Sequence, residues 1–137
     1  MFVAVELSEI VTDSENIIVY NDGETTIYGP QDLAYSKVVD GWKVLLENAR
    51  EMPAFGVSLN NEALEARKSG IWVEFVFGRQ YSHNEMTFEK LLFKVERDWK
   101  GFNVVRYNAQ NGYSGRCYFF DLAGQDMSQF YDILINL

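Results

Sequence analysis

This chain of 137 residues has one cysteine, one histidine and two prolines, and each scarcity excludes something. Cys117 has no partner for an internal disulfide or a multi-thiolate zinc site. Its setting, "GRCYFFDL", is apolar and strand-like, so a buried, inert thiol is expected. With His83 as the only imidazole, a metal site would depend on carboxylates, and no close cluster of them stands out. No metal or cofactor is therefore expected. The acids do not follow the spacing of a calcium-binding helix-loop-helix loop. No glycine-rich phosphate or dinucleotide turn follows a strand, and a nucleophile elbow is missing. "NAQNGYSG" reads as a hairpin turn around Asn111 and Gly112. No apolar run approaches the roughly 18 residues needed to cross a bilayer. The start "MFVAVELSEIV" carries Glu6 and Glu9 where a secretory signal has basic residues. These features predict a cytoplasmic protein without membrane association.

Basic residues are also scarce where the chain begins, none occurring before Lys37. Residues 1–65 hold twelve acids against Lys37, Lys43 and Arg50, whereas residues 66–137 hold eight acids and nine basic residues, for a total of −8. Nucleic acid is disfavoured as a partner, since phosphate backbones are bound mainly through Lys and Arg. An acidic N-terminal surface suited to a basic partner is the alternative to simple solubilisation.

What is abundant is core material. At 47% apolar and 15% aromatic, the chain carries enough for one domain over residues 1–137. "FVAVEL" reads as a strand. "IIVYNDGETTIYG" places two β-rich runs around Asn21, Asp22 and Gly23, a hairpin signal. A long helix is predicted from Pro30 and Asp32, with Tyr35, Val38, Val39, Trp42, Leu45, Leu46 and Ala49 at spacings of three and four, ending at Pro53. Gly41, costly in a helix, suggests close packing against a strand. "SLNNEALEARKSG" predicts a short helix with Asn60 as N-cap. From Ile71 the period changes to two, and "IWVEFVF", "KLLFKVE", "FNVVRY" and "GRCYFFDL" read as four antiparallel strands. The chain closes on a helix in "DMSQFYDILINL", started by Asp126 and Gln129 and burying Met127, Phe130, Tyr131 and Leu134 on one face. The predicted fold is α+β: an antiparallel sheet of about five to seven strands, an N-terminal hairpin plus a four-strand meander, with three helices mainly on one face.

The polar stretch "RQYSHNEM" falls between two strongly patterned strands and reads as an exposed hairpin connection. Ser82 adjoins His83 and would point away from it, while Glu85 could share its face. Without a fuller constellation His83 is expected to be dispensable, and no catalytic residue is assigned. The function expected is non-catalytic binding, to a protein partner or to a second copy as a homodimer. Its surface would be either the acidic N-terminal region or an aromatic second face of the sheet that includes Trp72, Val76, Tyr118 and Phe120. The alternative is a small-molecule site or enzyme with a helix–sheet pocket, in which Trp42, Arg106 and Arg116 meet an anionic ligand. An arginine there could instead pair with an internal acid such as Asp121.

Overall fold

Two apolar periods build two layers. The computed structural model describes residues 3–52, 56–58, 65 and 67–137, residues 3–4, 56–58 and 114–116 by their backbone alone. In chain order the strands are β1 (Val3–Ala4), β2 (Asn16–Asn21), β3 (Glu24–Tyr28), β4 (Arg50–Met52), β5 (Gly56–Ser58), β6 (Ile71–His83), β7 (Met86–Val95), β8 (Gly101–Asn108), β9 (Gly112–Arg116) and β10 (Tyr118–Asp121). The helices are α1 (Leu7–Ile10), continued by a 3-10 turn at Val11–Asp13, then α2 (Leu33–Leu46) and α3 (Ser128–Ile135). Seven strands form one open path, β3-β2-β6-β7-β8-β10-β4, antiparallel throughout. β1 joins β6 in parallel, and β9 pairs with both β8 and β5. The expected α+β architecture is present. Among the described residues no helix is long and apolar enough to cross a membrane.

The helices share one face of the sheet. Trp42 of α2 and Phe130 of α3 both stack on Phe93 of β7, at ring centroid distances of 4.9 and 5.9 Å. Their core is completed by alternate residues of each strand, among them Ile17, Val73, Phe75, Phe102 and Val104. The stripe read from the sequence is the buried one, with Tyr35, Val38, Val39, Trp42 and Leu46 all inside. Gly41 is explained by α3 and not by a strand, because a Cβ there would stand 2.9 Å from side-chain carbons of both Phe130 and Ile133.

Several elements differ from expectation for local reasons. "FVAVEL" is strand for two residues only; Leu7, Ile10 and Val11 then recur at helical spacing and are buried. α2 ends at Leu46, because residues 50–52 take the sheet edge beside β10. The short helix predicted in "SLNNEALEARKSG" lies almost wholly outside the described residues. β6 is not seven residues long but thirteen. Its register with β7 slips between Val76 and Tyr81, where Gly78 has φ of 72° and a Cβ would run into the Glu15 carboxylate. A bulge of this kind needs glycine at that position and hides the period-two pattern beyond it.

A second shift splits "GRCYFFDL" at Cys117. Tyr113 faces Tyr107, but Tyr118 faces Val104, so five residues on one strand span three on the other. The phase change carries Tyr118 and Phe120 onto the helix-facing side, where both are buried. They cannot line an open second face, which corrects their expected place. That second face instead holds a small core of its own, Leu92, Val105, Tyr113 and Cys117, with Tyr20, Trp72 and Tyr107 against it. The N-terminal hairpin extends the sheet at its edge and does not cover this face.

Candidate functional site

α3 begins where the Asp126 carboxylate accepts hydrogen bonds from the Ser128 backbone N–H at 3.0 Å and from its hydroxyl at 2.6 Å. Those two bonds hold Asp126 ionised below the usual carboxylate range. The N–H of Met127 donates to the Trp99 carbonyl, fixing the helix against the loop after β7. So placed, α3 runs beside α2 and leaves a cleft of about 770 Å³ between them. Gly41, Val44, Phe130 and Ile133 supply its apolar surface, while Lys37, Asp40, Asp126 and Asp132 stand on its rim. Val44 is 51% exposed there. Asp132 is ion-paired with Arg97, whose guanidinium lies over the Tyr131 ring. No ion pair holds Asp40 or Lys37 among the described residues.

On the opposite face of the sheet lies a polar network. The Glu74 carboxylate, 1% exposed, accepts from the Tyr20 hydroxyl at 2.7 Å and from the Tyr113 hydroxyl. Arg67 Nη1 donates to the same two hydroxyls at 2.9 and 3.2 Å and sits 3.4 Å from Glu74 Oε1. Its guanidinium also covers both phenol rings. Burial, and then the adjacent Glu74 charge, push both phenols well above their usual range. They are poor proton donors, and the network reads chemically as a staple rather than a reacting centre.

His83 is not at a loop tip. The turn consists of Asn84 and Glu85, both at positive φ, and His83 still pairs with Met86 in the sheet. Its side chain is 10% exposed. One ring nitrogen, Nδ1, is 2.8 Å from the Val5 carbonyl, and Nε2 is 2.6 Å from Glu51 Oε1. Both ring nitrogens have an oxygen partner. The carboxylate partner is thus Glu51 from β4 and not Glu85, and Asn84 Nδ2 donates to the other Glu51 oxygen. The ring also packs edge-on against Tyr118. His83 therefore ties together β4, the end of β6 and the residue after β1, contacts that the expectation of an exposed, dispensable loop residue did not include. His83→Ala should lower stability by about 1–3 kcal/mol, by stranding the Val5 carbonyl and the Glu51 carboxylate. Urea unfolding of the variant checks this; a loss below about 0.5 kcal/mol would mean water replaces both contacts.

No known protein family, curated protein or solved structure matches the chain.

The residues expected to form a ligand pocket are not brought together. Trp42 is fully enclosed in the core. Arg106 is buried on the sheet, donating to the Thr87 carbonyl at 2.7 Å. The side chain of Arg116 lies outside the described residues. Asp121 takes Arg50 as its partner, at 2.9 Å. Of the residues expected at an interface, Trp72 is half-buried with its indole N–H donated to the Ser69 carbonyl, and Val76 is half-buried on the same face. Cys117 is buried, which raises its thiol above the usual range. Among the described residues no group of three His, Cys, Asp or Glu side chains is placed to hold a metal ion. Two features had sequence signals that went unread: Glu74, a lone acid inside "IWVEFVF", and Val44, an apolar residue on the polar side of the α2 stripe.

Proposed function

We propose that this is a non-catalytic protein-binding domain whose contact surface is the α2–α3 cleft. The observation that supports it is the pairing of an apolar floor with an acid-bearing rim: exposed Val44 beside Gly41 and Ile133, bordered by Lys37, Asp40, Asp126 and Asp132, the last of these paired with Arg97. α1, the 3-10 turn after it and the two ends of α2 add exposed Glu9, Asp13, Asp32 and Glu47, so part of the N-terminal acid excess lies on the helical layer. A groove between two helices with these properties suits an amphipathic segment that inserts apolar side chains and presents Lys or Arg to the rim. The acids speed encounter and select the sign of the partner, while apolar burial supplies holding energy.

The test is a display selection of amphipathic peptides differing in net charge, with binding mapped by amide chemical shifts of the labelled chain. Basic peptides should be selected, and their shifts should fall on residues 37–46 and 126–136. Val44→Lys, at a half-exposed position, should change stability by no more than about 0.5 kcal/mol and abolish those shifts. Affinity should drop between low and physiological salt, because the screening length falls to about 8 Å. Selection of acidic peptides, or shifts mapping away from the two helices, would refute the reading.

A further inference from the structure

We infer that the chain associates with a second copy of itself through the free edge of β3, extending one sheet across a two-fold axis at Thr26. β3 ends the sheet, and it is joined to β2 by a two-residue turn, Asp22 and Gly23, both at positive φ. In such a turn the flanking residues, Asn21 and Glu24, form a hydrogen-bonded pair, and pairing alternates from there. The register Asn21↔Glu24, Val19↔Thr26 and Ile17↔Tyr28 therefore commits Glu24, Thr26 and Tyr28 inward to β2. Thr25 and Ile27 are left to direct their N–H and C=O groups outward.

Two residues spaced by two, each with a free donor and a free acceptor, are self-complementary in an antiparallel pairing. Thr25 meets Ile27 of the second copy and Ile27 meets its Thr25, giving four N–H···O bonds. Thr26 then lies opposite Thr26 at a close, non-hydrogen-bonded position, where β-branched side chains pack well. The same register sets Glu24 opposite Tyr28 of the second copy, so no two like charges face each other.

Three features of the molecule favour this edge as a contact. β3 carries little edge protection: its one charged residue, Glu24, stands at the turn end, and it has no lysine, proline or bulge. The other end of the sheet, β4, has three residues, of which Arg50 and Glu51 are already engaged by Asp121 and His83. β3 also carries Ile27, one of the most exposed large apolar side chains of the described residues at 61%. This surface is separate from the α2–α3 cleft, so the two proposals stand or fall independently.

Sedimentation velocity of the full chain across concentration tests it. The wild type should show a concentration-dependent dimer, stronger at physiological than at low salt, because two chains of charge −8 repel at long range. Thr26→Lys places two like charges at the axis and should weaken association by about tenfold or more; Thr26→Glu should do the same. An equimolar mixture of the two variants should recover a heterodimer. Ile27→Pro removes one outward N–H without touching the β2 ladder and should also give a monomer. Val44→Lys should leave the dimer intact. A wild type that stays monomeric at all concentrations, a Thr26→Lys variant that dimerises as the wild type does, or a mixture that fails to pair would each overturn the proposal.

Discussion

Trp42→Ala is expected to remove about 3–5 kcal/mol of stability, which in a domain of ordinary stability leaves much of the chain unfolded. The indole is fully buried and forms ring contacts with Phe75, Phe93, Phe102 and Phe120, at centroid distances of 5.3, 4.9, 5.8 and 6.3 Å. Those four rings come from β6, β7, β8 and β10, so a cavity here loosens α2 from most of the sheet at once. Edge-to-face pairs contribute roughly 0.5–1.5 kcal/mol beyond area burial, and three of the four contacts have that geometry. The indole N–H also donates to the Leu7 carbonyl at 3.0 Å, joining α1 to α2. Trp42→Phe keeps a ring and loses that bond, so it should cost clearly less than alanine. Urea unfolding followed by circular dichroism measures both. Fluorescence alone would mix Trp42 with Trp72 and the 40% exposed Trp99, but acrylamide should quench Trp99 and spare Trp42. A cost under about 1 kcal/mol for alanine would mean that the core refills the space.

That α2 register was legible because one stripe of 3.6 period admits one buried face, and the β2–β3 hairpin because Asp22–Gly23 tolerates positive φ. Where reading along the sequence failed, the cause was a change of phase inside a strand. At Gly78 a bulge shifts the alternation of β6, so Tyr81 and His83 looked like loop residues although Tyr81 belongs to the core. At Cys117 a second shift moves Tyr118 and Phe120 to the opposite side of the sheet from the one assigned. Period-two reasoning carries no warning of either event, since each residue's propensity is unchanged. The α2–α3 cleft was invisible for a different reason. Val44 and Ile133 belong to helices far apart in the sequence, and only tertiary packing reveals that both line one cleft. His83 found its acid in Glu51, 32 residues away, a pairing that no local spacing encodes.

Glu74→Ala should cost about 3–5 kcal/mol, although Glu74 faces away from the main core, because it would leave a cation uncompensated in a mostly buried place. Arg67 is 15% exposed at its side chain. Without the carboxylate, its guanidinium keeps, among the described residues, two phenol oxygens and two ring faces, and the Tyr20 and Tyr113 hydroxyls lose their common acceptor. The loss belongs to the broken network and not to a net gain from building it. Replacing the whole set by Glu74→Leu, Arg67→Met, Tyr20→Phe and Tyr113→Phe should therefore recover most of the stability lost in the single variant. Comparing the two by urea unfolding decides between an uncompensated charge and simple loss of volume, since the latter would leave the quadruple variant no better. Alkaline titration gives an independent reading of the same staple. Burial, followed by the Glu74 charge, raises both phenols above their ordinary value of 10.0, so their contribution is complete below that pH. Above it the unfolded chain ionises its tyrosines while the folded chain resists, and stability falls as pH rises towards the folded-state values. Tyr20→Phe with Tyr113→Phe should flatten that decline. An unchanged alkaline slope would show that the two phenols ionise as freely in the folded chain as in the unfolded one.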